Sequence, residues 1–381
     1  MIYLALAVSF AIVVWSALSI WITLRRRRAH PIPHSPSTFP SVSIVVAALD
    51  EESMIEQAIR CMLALDYPEL EIVAINDRSR DRTGAILDAI AAEHPSRVRV
   101  LHIEELPDGW LGKCHALEQG ASVAKGEWLL FTDADVLFDP QSLRIAMAHR
   151  HARDVDHIVF APQLMWHGYI EAALLTLFGM SLSIAFRSWA IESRSLRAFV
   201  GFGGFNLVRR SLYEQFGTHR ALRLEVADDM KLGLLVKKFG GRSTLIDSEG
   251  MVRVRWRAGA RDVMRGLERS GFAGIDFRWS AIAAATFFFA VVMLAPYALL
   301  FAGGMIAFVA AIALAVLTIA YGVVAHAGRA PVWIGILHPI VCLMYTWALI
   351  RSAVITTRRG GLSWRGTFYS IDELKGGTVR R

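Results

Sequence analysis

Cysteine is scarce in this chain of 381 residues. Its 3 cysteines, Cys61, Cys114 and Cys342, are far apart and form no CxxC pair. This excludes a disulfide framework and a cysteine-rich zinc site, and reduced thiols suit a domain in the cytosol. The sequence also has no internal repeat and no nucleic-acid-binding motif, so we expect no nucleic-acid partner.

Charge is absent from the amino-terminal segment, where Ile2 to Leu24 form one apolar run. The run is long enough to cross the hydrocarbon core of a bilayer. Arg25 to Arg28 follow at once, and the positive-inside rule keeps them in the cytoplasm. A cleaved signal peptide is disfavoured because the charges follow the apolar run instead of preceding it. We therefore predict an integral protein of the inner (plasma) membrane with a cytoplasmic middle domain.

Hydrophobic residues make up 54% of the chain, and most of the excess lies near its two ends. The net charge of +7 comes mainly from arginines beside these apolar segments, where anionic lipid head groups explain it better than nucleic acid. The composition divides the chain into a transmembrane anchor (1–28), a proline-rich linker (29–40), a mixed middle domain (41–278), carboxyl-terminal transmembrane helices (279–356) and a basic tail (357–381).

The carboxyl-terminal apolar region predicts about three membrane helices. Residues 280–324 are long enough for two helices with a turn at Gly303-Gly304, and residues 331–355 predict a third. Three crossings would place the basic tail on the opposite side from the middle domain, which conflicts with the positive-inside rule. A re-entrant segment around His338-Pro339 is an alternative that the sequence leaves open.

A further apolar stretch, residues 166–190, lies inside the middle domain. Glu171 interrupts it, and Trp166, Arg187 and Trp189 flank it, which favours a helix lying in the membrane interface over a span. A span here would also put the motifs that follow on the wrong side of the membrane.

Strands and helices alternate through the middle domain. This order predicts an α/β fold with a Rossmann-like, mostly parallel sheet and right-handed crossovers. Pro140 is expected in the first turn of its helix. The predicted strands are 41–49, 70–75, 98–103, 128–132 and 157–161, and the predicted helices are 50–64, 81–93, 112–124, 140–151 and 230–239.

The segment 129–135 (LLFTDAD) ends an apolar strand in two carboxylates, Asp133 and Asp135. Such a strand places its acids at the carboxyl end of the sheet, where open α/β folds bind ligands. Both carboxylates can reach one hard divalent cation and leave room for a ligand's phosphates. The pattern predicts a nucleotide diphosphate bound through Mg²⁺ or Mn²⁺. Solvation of a loop or capping of a helix would also explain two acids here.

Other polar residues also come at the start of predicted helices. Asp50 ends the first strand and Glu52 follows it, where acids can face a nucleotide or cap a helix. Asp77 follows the second strand, where a carboxylate can bind a base or ribose, or only fix a turn. Lys113 lies in a Gly-Lys loop that opens a helix, a setting that favours phosphate although it is not a Walker A loop.

The pair Asp228-Asp229 precedes the predicted helix 230–239. A carboxylate at the mouth of a site can act as the general base for an acceptor hydroxyl. Capping of the helix is the simpler alternative.

These positions occur in one order, and together they resemble glycosyltransferase family 2, the inverting enzymes of GT-A fold. The sequence 109–113 (GWLGK), the membrane helices and the late segment 364–367 (WRGT) resemble a membrane-anchored branch that includes hopanoid-associated, carotenoid and ceramide glycosyltransferases. The similarity covers about residues 41–275 and rests on Asp50-Glu51-Glu52, Asp77, Gly112-Lys113, Asp133 with Asp135, and Asp228-Asp229.

The resemblance implies a nucleotide-sugar donor, with a UDP-sugar favoured, and a membrane lipid as the acceptor. It implies that Asp229, with Asp228 beside it, is catalytic and that Asp135 holds Mg²⁺ or Mn²⁺. The donor-binding residues that it implies are Asp50, Glu52, Asp77, Lys113 and Asp133.

One family motif is incomplete. Synthases of the family often carry Gln-x-x-Arg-Trp after the base, whereas residues 265–270 read RGLERS, so only Arg269 matches, as a candidate acceptor-side residue. This disfavours a processive polysaccharide synthase and leaves transfer of a single sugar as our prediction. A polysaccharide synthase and a catalytically inactive GT-A-like membrane scaffold are the alternatives.

Overall fold

A computed structural model describes residues 2–28, 38–256 and 258–380. Most of the predicted linker, 29–40, lies outside the described residues. Within the described part of the chain, a seven-stranded sheet has the order β3-β2-β1-β4-β8-β6-β9, and a three-stranded sheet has the order β5-β10-β7. The strands are β1 (Val42–Ala48), β2 (Leu70–Asp77), β3 (Val98–Ile103), β4 (Trp128–Asp133), β5 (Val136–Phe138), β6 (His157–Ala161), β7 (Gln163–Leu164), β8 (Asn206–Arg209), β9 (Ser243–Asp247), β10 (Val252–Val254), β11 (Gly361–Trp364) and β12 (Thr367–Ser370).

The large sheet is mostly parallel, as predicted. Strand β1 pairs in parallel with β2 and β4, and β6 pairs in parallel with β9. Only β8 runs antiparallel to both of its neighbours, β4 and β6. The fold is therefore the mostly parallel α/β arrangement that the order of elements predicts.

Helices cover both faces of this sheet, and the alternation of side chains along β1 shows why. All seven residues of β1 are buried. Val42, Ile44 and Val46 pack into the core on one face, and Val45 and Ala47 pack into the core on the other. Because successive side chains of a strand point to opposite faces, only a run that is apolar at every position can be buried on both.

The helices of the α/β domain differ from the predictions mainly at their starts. The first helix was expected from residue 50 but begins at Ile55, because Asp50, Glu51 and Glu52 form a turn instead. Pro140 precedes its helix by two residues, so its expected place in the first turn is wrong. The helices of this part are α2 (Ile55–Leu63), α3 (Thr83–Glu93), α4 (Gly112–Val123), α5 (Ser142–Arg153), α6 (Tyr169–Ala185), α7 (Arg210–Gln215), α8 (Asp228–Lys238) and α9 (Ala260–Ser270).

The order of the strands places the predicted site. The strands β2 and β3 lie on one side of β1, whereas β4 lies on the other side. The chain therefore changes direction between β1 and β4, and such switch points form the ligand-binding crevice at the carboxyl ends of the strands. Asp50 follows β1 and Asp133 ends β4, so both residues lie at this crevice.

Among the residues that the structure describes, four helices are long and apolar enough to cross a membrane, which confirms one amino-terminal and three carboxyl-terminal apolar helices. Their apolar stretches are Ala5–Arg25, Trp279–Ala302, Gly304–Ala327 and Val332–Arg359. The elements that form them are α1 (Ile2–Arg28), α10 (Trp279–Phe287), a π-helical stretch (Phe288–Leu294), α11 (Ala295–Leu299), α12 (Gly304–Ala327), and a 3₁₀ turn (Val332–Leu337) that leads into α13 (His338–Arg359).

Helix α6 accounts for the apolar stretch 166–190. It has 17 residues and packs against α9, α12 and α13. Glu171, which is buried, accepts the backbone N–H groups of His167 (3.0 Å) and Gly168 (3.4 Å) with its Oε2 atom. This carboxylate therefore caps the start of an apolar helix, where the first N–H groups have no partner within the helix. The interfacial position of α6 stays a prediction.

The carboxyl-terminal segment folds back onto the α/β domain. Strands β11 and β12 form a hairpin, and α14 (Ile371–Gly377) follows it. The Tyr369 hydroxyl donates to the Trp110 carbonyl (2.9 Å), and the Lys231 ammonium donates to the Val379 carbonyl (2.6 Å). Residues 361–380 therefore belong to the same packed unit as α8 and the loop before α4.

Candidate active site

Strand β4 brings the first two acids to the crevice. Asp133 is the last residue of β4, and its N–H donates to the Gly203 carbonyl (2.8 Å). Asp135 lies two residues later, in the turn before β5, and Ala134 between them is buried. The side chain of Asp133 is 38% exposed, so its carboxylate remains accessible from the crevice.

Lys113 connects the acids of β4 to those of α8. Its ammonium lies 2.7 Å from Asp133 Oδ1 and 3.6 Å from Asp228 Oδ1. Burial lowers the pKa of Lys113, but the carboxylates of Asp133, Asp228 and Asp229 outweigh burial and hold the pKa above its ordinary value. The lysine is therefore a fixed positive charge at the start of α4, a position where N–H groups and a cation together favour phosphate.

Asp229 is held in place by two backbone N–H groups. Gly203 N–H donates to Asp229 Oδ2 (2.8 Å), and Met230 N–H donates to Oδ1 (2.7 Å). Burial and the neighbouring charge of Asp228 raise the pKa of Asp229 to about 7. Burial also raises the pKa of Asp228, and Lys113 opposes that rise. A carboxylate whose pKa lies near neutrality can take up a proton during a reaction at that pH.

Two glycines allow β8 and the loop before it to approach these acids closely. A Cβ at Gly203 would lie 2.3 Å from Asp133 Oδ2, and a Cβ at Gly201 would lie 1.8 Å from the Asp229 carbonyl oxygen. Both positions therefore exclude larger residues. This role was not predicted from the sequence, although the local density of glycine in 201–204 (GFGG) was a usable signal.

Asp50 and Glu52 join two loops. Asp50 has a positive φ of 55°, and its Oδ1 accepts the Arg80 N–H (2.7 Å). Glu52 Oε2 accepts the Arg82 N–H (3.1 Å). Their carboxylates thus fix the loop after β1 to the loop after β2, which positions the crevice whether or not they also contact a ligand.

Asp77 lies at the end of β2 and is fully buried. Arg78 Nε donates to its Oδ1 (2.8 Å), and Arg365 Nη1 lies 3.6 Å from its Oδ2. A Cβ at Gly112 would lie 2.7 Å from Asp77 Oδ2. The glycine therefore lets the start of α4 approach Asp77, so Asp77 and Lys113 are on the same side of the crevice.

Asp135 is the residue that best fits a divalent cation. Burial and the charges of Asp133 and Glu51 raise the pKa of Asp135 to about 7. A bound cation would reduce the repulsion between these carboxylates, and their hard oxygens are suitable ligands for Mg²⁺ or Mn²⁺. Among the described residues there is no group of three or more metal-ligating side chains. Few protein ligands are the norm for a cation that is also held by phosphates and water.

The predicted residues do not all meet. Lys113, Asp133, Asp228 and Asp229 form one cluster. Arg269 does not join it in the described structure, because its side chain is exposed near the end of α9. Sequence reasoning also gave no role to Arg365 beyond its place in the late segment, and it missed the buried pair Glu225 and Lys231 (3.8 Å) beside the cluster.

Comparisons with known proteins agree with this geometry. The family model "Glycosyl transferase family 2" matches residues 43–217. The chain is 23% identical over 239 residues to the 4,4'-diaponeurosporenoate glycosyltransferase of Staphylococcus haemolyticus, covering 60% of each chain. It is 35% identical over 111 residues to the beta-monoglucosyldiacylglycerol synthase of Trichormus variabilis, which is 29% of this chain and 23% of that one.

A solved structure has the same fold. The mannosyltransferase PcManGT of Pyrobaculum calidifontis, in complex with GDP-Man and Mn²⁺, superposes with a TM-score of 0.56 at 19% identity, covering 92% of this chain and 97% of that one. The chain spans about 60% of the length of the staphylococcal relative and less of the cyanobacterial one. Residues 43–217 are thus a glycosyltransferase family 2 domain, within a chain that has the GT-A fold together with one amino-terminal and three carboxyl-terminal apolar helices.

Proposed function

We propose that this protein is an inverting, metal-dependent glycosyltransferase that moves one sugar from a nucleotide-sugar to a membrane lipid. The observation that carries the proposal is the half-buried carboxylate of Asp229, which two backbone N–H groups fix and whose pKa is raised to about 7, in one cluster with Lys113 and Asp133. The match to family 2 indicates the class of reaction, which is transfer of a sugar. In the cluster, the Asp229 carboxylate can serve as the base and the Lys113 ammonium provides a positive charge.

The donor side of the site is built from Lys113, the start of α4 and the acids of β4. Lys113 and the free N–H groups of α4 favour the diphosphate of a nucleotide-sugar. Asp77 is suited to the nucleoside, and Asp133 to the nucleoside or ribose, while Asp135 would hold Mg²⁺ or Mn²⁺. When bound, the cation offsets the charge that develops on the leaving diphosphate.

The acceptor side of the site depends on Asp229. We propose that its carboxylate takes the proton of the acceptor hydroxyl as the hydroxyl oxygen attacks the anomeric carbon. The bond from that carbon to the diphosphate breaks in the same step, and the nucleoside diphosphate leaves. A single in-line displacement of this kind inverts the configuration at the anomeric carbon.

A lipid acceptor is supported by the surroundings of the site and by the names of two relatives. Asp276, which the Lys231 ammonium contacts (2.7 Å), precedes the apolar helix α10 by only a few residues, so helix α8 is tied closely to the membrane segments. The two relatives are named for a carotenoid carboxylate and a diacylglycerol glycolipid. We propose that the acceptor enters from the bilayer.

Transfer of a labelled sugar from a nucleotide-sugar to lipid tests this proposal. The full chain in detergent–lipid micelles is incubated with Mn²⁺, total bacterial membrane lipid and labelled UDP-glucose, UDP-N-acetylglucosamine or GDP-mannose in separate reactions. We expect label from one donor to enter the organic phase as a lipid with a single sugar. Label found only in water-soluble products would contradict the lipid acceptor, and a long labelled polymer would favour a polysaccharide synthase.

A further inference from the structure

The tip of the carboxyl-terminal hairpin carries an arginine into the donor side of the site. Arg365 and Gly366 form the two-residue turn between β11 and β12, and both have positive φ angles, of 48° and 84°. Turns of this kind match the twist of a tight hairpin. The hairpin therefore presents the Arg365 side chain from a fixed backbone, although the residue lies far from the other site residues in the sequence.

Arg365 and Asp77 form a buried pair that is not fully hydrogen bonded. Arg365 Nη1 lies 3.6 Å from Asp77 Oδ2, and both atoms are buried without a hydrogen-bond partner among the described residues. Asp77 is fully buried and the Arg365 side chain is 24% exposed. Buried charged groups are rarely left without hydrogen bonds, so both atoms indicate a ligand. Arg365 Nη1 can donate to an anionic group of that ligand, whereas Asp77 Oδ2 can accept from an N–H or O–H group of its nucleoside.

The surroundings of this pair favour an anionic ligand. A Cβ at Gly112, the first residue of α4, would lie 2.5 Å from Arg78 Nη2, so a second guanidinium lies against the start of that helix. The charge of Arg365 also acts on Asp228, in the cluster that contains Lys113. Two guanidinium groups, a lysine and a helix start converge here, and guanidinium groups bind phosphate in a two-pronged manner.

We propose that Arg365 binds the diphosphate of the nucleotide-sugar donor, so that the carboxyl-terminal hairpin completes the donor site. This rests on the proposed function. The chain that follows this arginine is fastened to the catalytic elements at two points. Tyr369 bonds to the carbonyl of Trp110, and Val379 bonds to both Glu225 and Lys231 close to Asp229.

The test compares a nucleoside diphosphate with its nucleoside. Binding of UDP and uridine, and of GDP and guanosine, is measured by calorimetry with Mn²⁺ for the full chain and for Arg365→Ala, Arg365→Lys and the control Arg359→Ala, whose arginine is exposed at the end of α13. We expect Arg365→Ala to weaken binding of the diphosphate by about 10- to 100-fold, the scale of hydrogen bonds to charged groups, and to leave the nucleoside unaffected. Arg365→Lys should recover part of the loss.

Two outcomes would overturn the inference. Equal weakening of diphosphate and nucleoside would mean that Arg365 only balances Asp77, and unchanged binding of both would mean that it contacts no ligand. The double variant Asp77→Asn/Arg365→Ala is compared with Asp77→Asn, where no buried carboxylate is left unpaired. Loss of Arg365 should weaken binding of the diphosphate further in that background, and no further loss would mean that Arg365 only balances Asp77. If the unaltered chain binds neither UDP nor GDP, the proposed function itself fails.

A second inference concerns the last apolar helix, and a different contact carries it. Arg329, in the connection between α12 and α13, donates from Nη2 to the Glu249 carbonyl (2.5 Å) of the α/β domain. The other end of α13 leads directly into the hairpin that contacts Asp77 and Trp110. Both ends of this helix therefore lie against the same domain.

The length and packing of α13 show how it runs between these ends. The helical stretch Val332–Arg359 has 28 residues, which is about 40 Å at 1.5 Å per residue. Arg351 pairs with Glu268 of α9 (3.0 Å), and Ser352 accepts the Phe272 N–H (2.9 Å). The helical stretch contacts the α/β domain at both ends and along one side. A straight helix of this length with these contacts must run alongside the domain.

We infer that α13 lies in the membrane interface beneath the α/β domain and does not cross the bilayer. Its mean hydropathy, 1.7, is the lowest of the four apolar helices. One face of the helix carries an exposed apolar stripe with helical spacing, formed by Trp333, Ile336, Ile340, Leu343 and Trp347. We assign this stripe to the acyl chains of the adjacent leaflet. Two crossings after the α/β domain then leave the basic tail on its own side, which removes the conflict with the positive-inside rule.

Labelling from one side of sealed vesicles tests this arrangement. Single cysteines are introduced in a Cys61→Ser background at Gly328, before α13, at Lys375, after it, at Met305, near the start of α12, and at Asp88 in the α/β domain. A maleimide that does not cross membranes should label Gly328→Cys, Lys375→Cys and the reference Asp88→Cys from one face and Met305→Cys from the other. Labelling of Gly328→Cys and Lys375→Cys from opposite faces would show that α13 crosses the bilayer.

Discussion

Replacing Asp229 by asparagine is expected to lower kcat by about 100-fold or more and to leave donor affinity unchanged. General bases contribute roughly 10²–10⁴-fold to turnover, and an asparagine cannot take the proton of the acceptor. Its amide oxygen can still accept the Gly203 N–H that Asp229 Oδ2 accepts at 2.8 Å, and only the bond from the adjacent Met230 N–H to Oδ1 is lost, so the loop around the donor should keep its shape. The measurement is kcat for sugar transfer together with the donor dissociation constant.

The pH dependence of the unaltered enzyme gives a control within the same experiment. Because the base must be deprotonated and the pKa of Asp229 is raised to about 7, kcat should fall as pH decreases below about 7 and level off above it. This limb should be absent from Asp229→Asn. Asp88→Asn, at an exposed position of α3, should behave like the unaltered protein. Loss of donor affinity in Asp229→Asn, or an unchanged kcat, would contradict the role of Asp229 as the base.

Replacing Asp135 by alanine is expected to remove metal-dependent binding of the donor. The raised pKa of Asp135, about 7, comes from burial and from the charges of Asp133 and Glu51, a repulsion that a divalent cation would relieve. Changing a residue that only hydrogen bonds to a metal ligand typically lowers the affinity for the metal by about 10- to 100-fold. Loss of the ligand itself should therefore lower this affinity by at least about 100-fold. Asp133 cannot fully replace it, because Lys113 lies 2.7 Å from its Oδ1 atom.

Much of the α/β domain was predictable because buried parallel strands have a plain sequence signal. The runs at β1 and β4 are apolar on both faces, and β3 and β6 have the predicted bounds, 98–103 and 157–161. Since the carboxyl ends of parallel strands meet at one edge, the acids that follow or end β1, β2 and β4 lie along the same edge of the sheet. The start of α2 was wrong because its acids bond to the neighbouring loop, and no local pattern shows such a contact.

The rest of the site depends on contacts between distant parts of the chain. Arg365 reaches Asp77 only because the carboxyl-terminal hairpin folds back past three apolar helices. The role of Gly203 depends on how closely β8 approaches Asp133, which follows from the pairing of strands and not from its neighbours in the sequence. Arg269 was chosen from its position in a family motif; it is exposed on α9, and its acceptor-side role stays a prediction.

The orientation of α13 shows a different limit of prediction from the sequence. Hydropathy measures how apolar a segment is, and both a crossing helix and an interfacial helix can be apolar. The contacts of Arg329 with Glu249 and of Arg351 with Glu268 distinguish them, because they fix one end and one side of α13 to the α/β domain. The conflict over the basic tail was therefore visible in the sequence, but its explanation required the fold.

The most direct test of a metal-dependent nucleotide-sugar site is a donor titration by calorimetry. The full chain and Asp135→Ala, with Asp88→Ala as the matched control, are titrated with UDP- and GDP-sugars, each with Mn²⁺ and with EDTA. We expect one donor to bind the full chain and Asp88→Ala in Mn²⁺ only, and to bind Asp135→Ala weakly in both conditions. Donor binding that is equally strong in EDTA, or that Asp135→Ala retains in Mn²⁺, would contradict this account of the site.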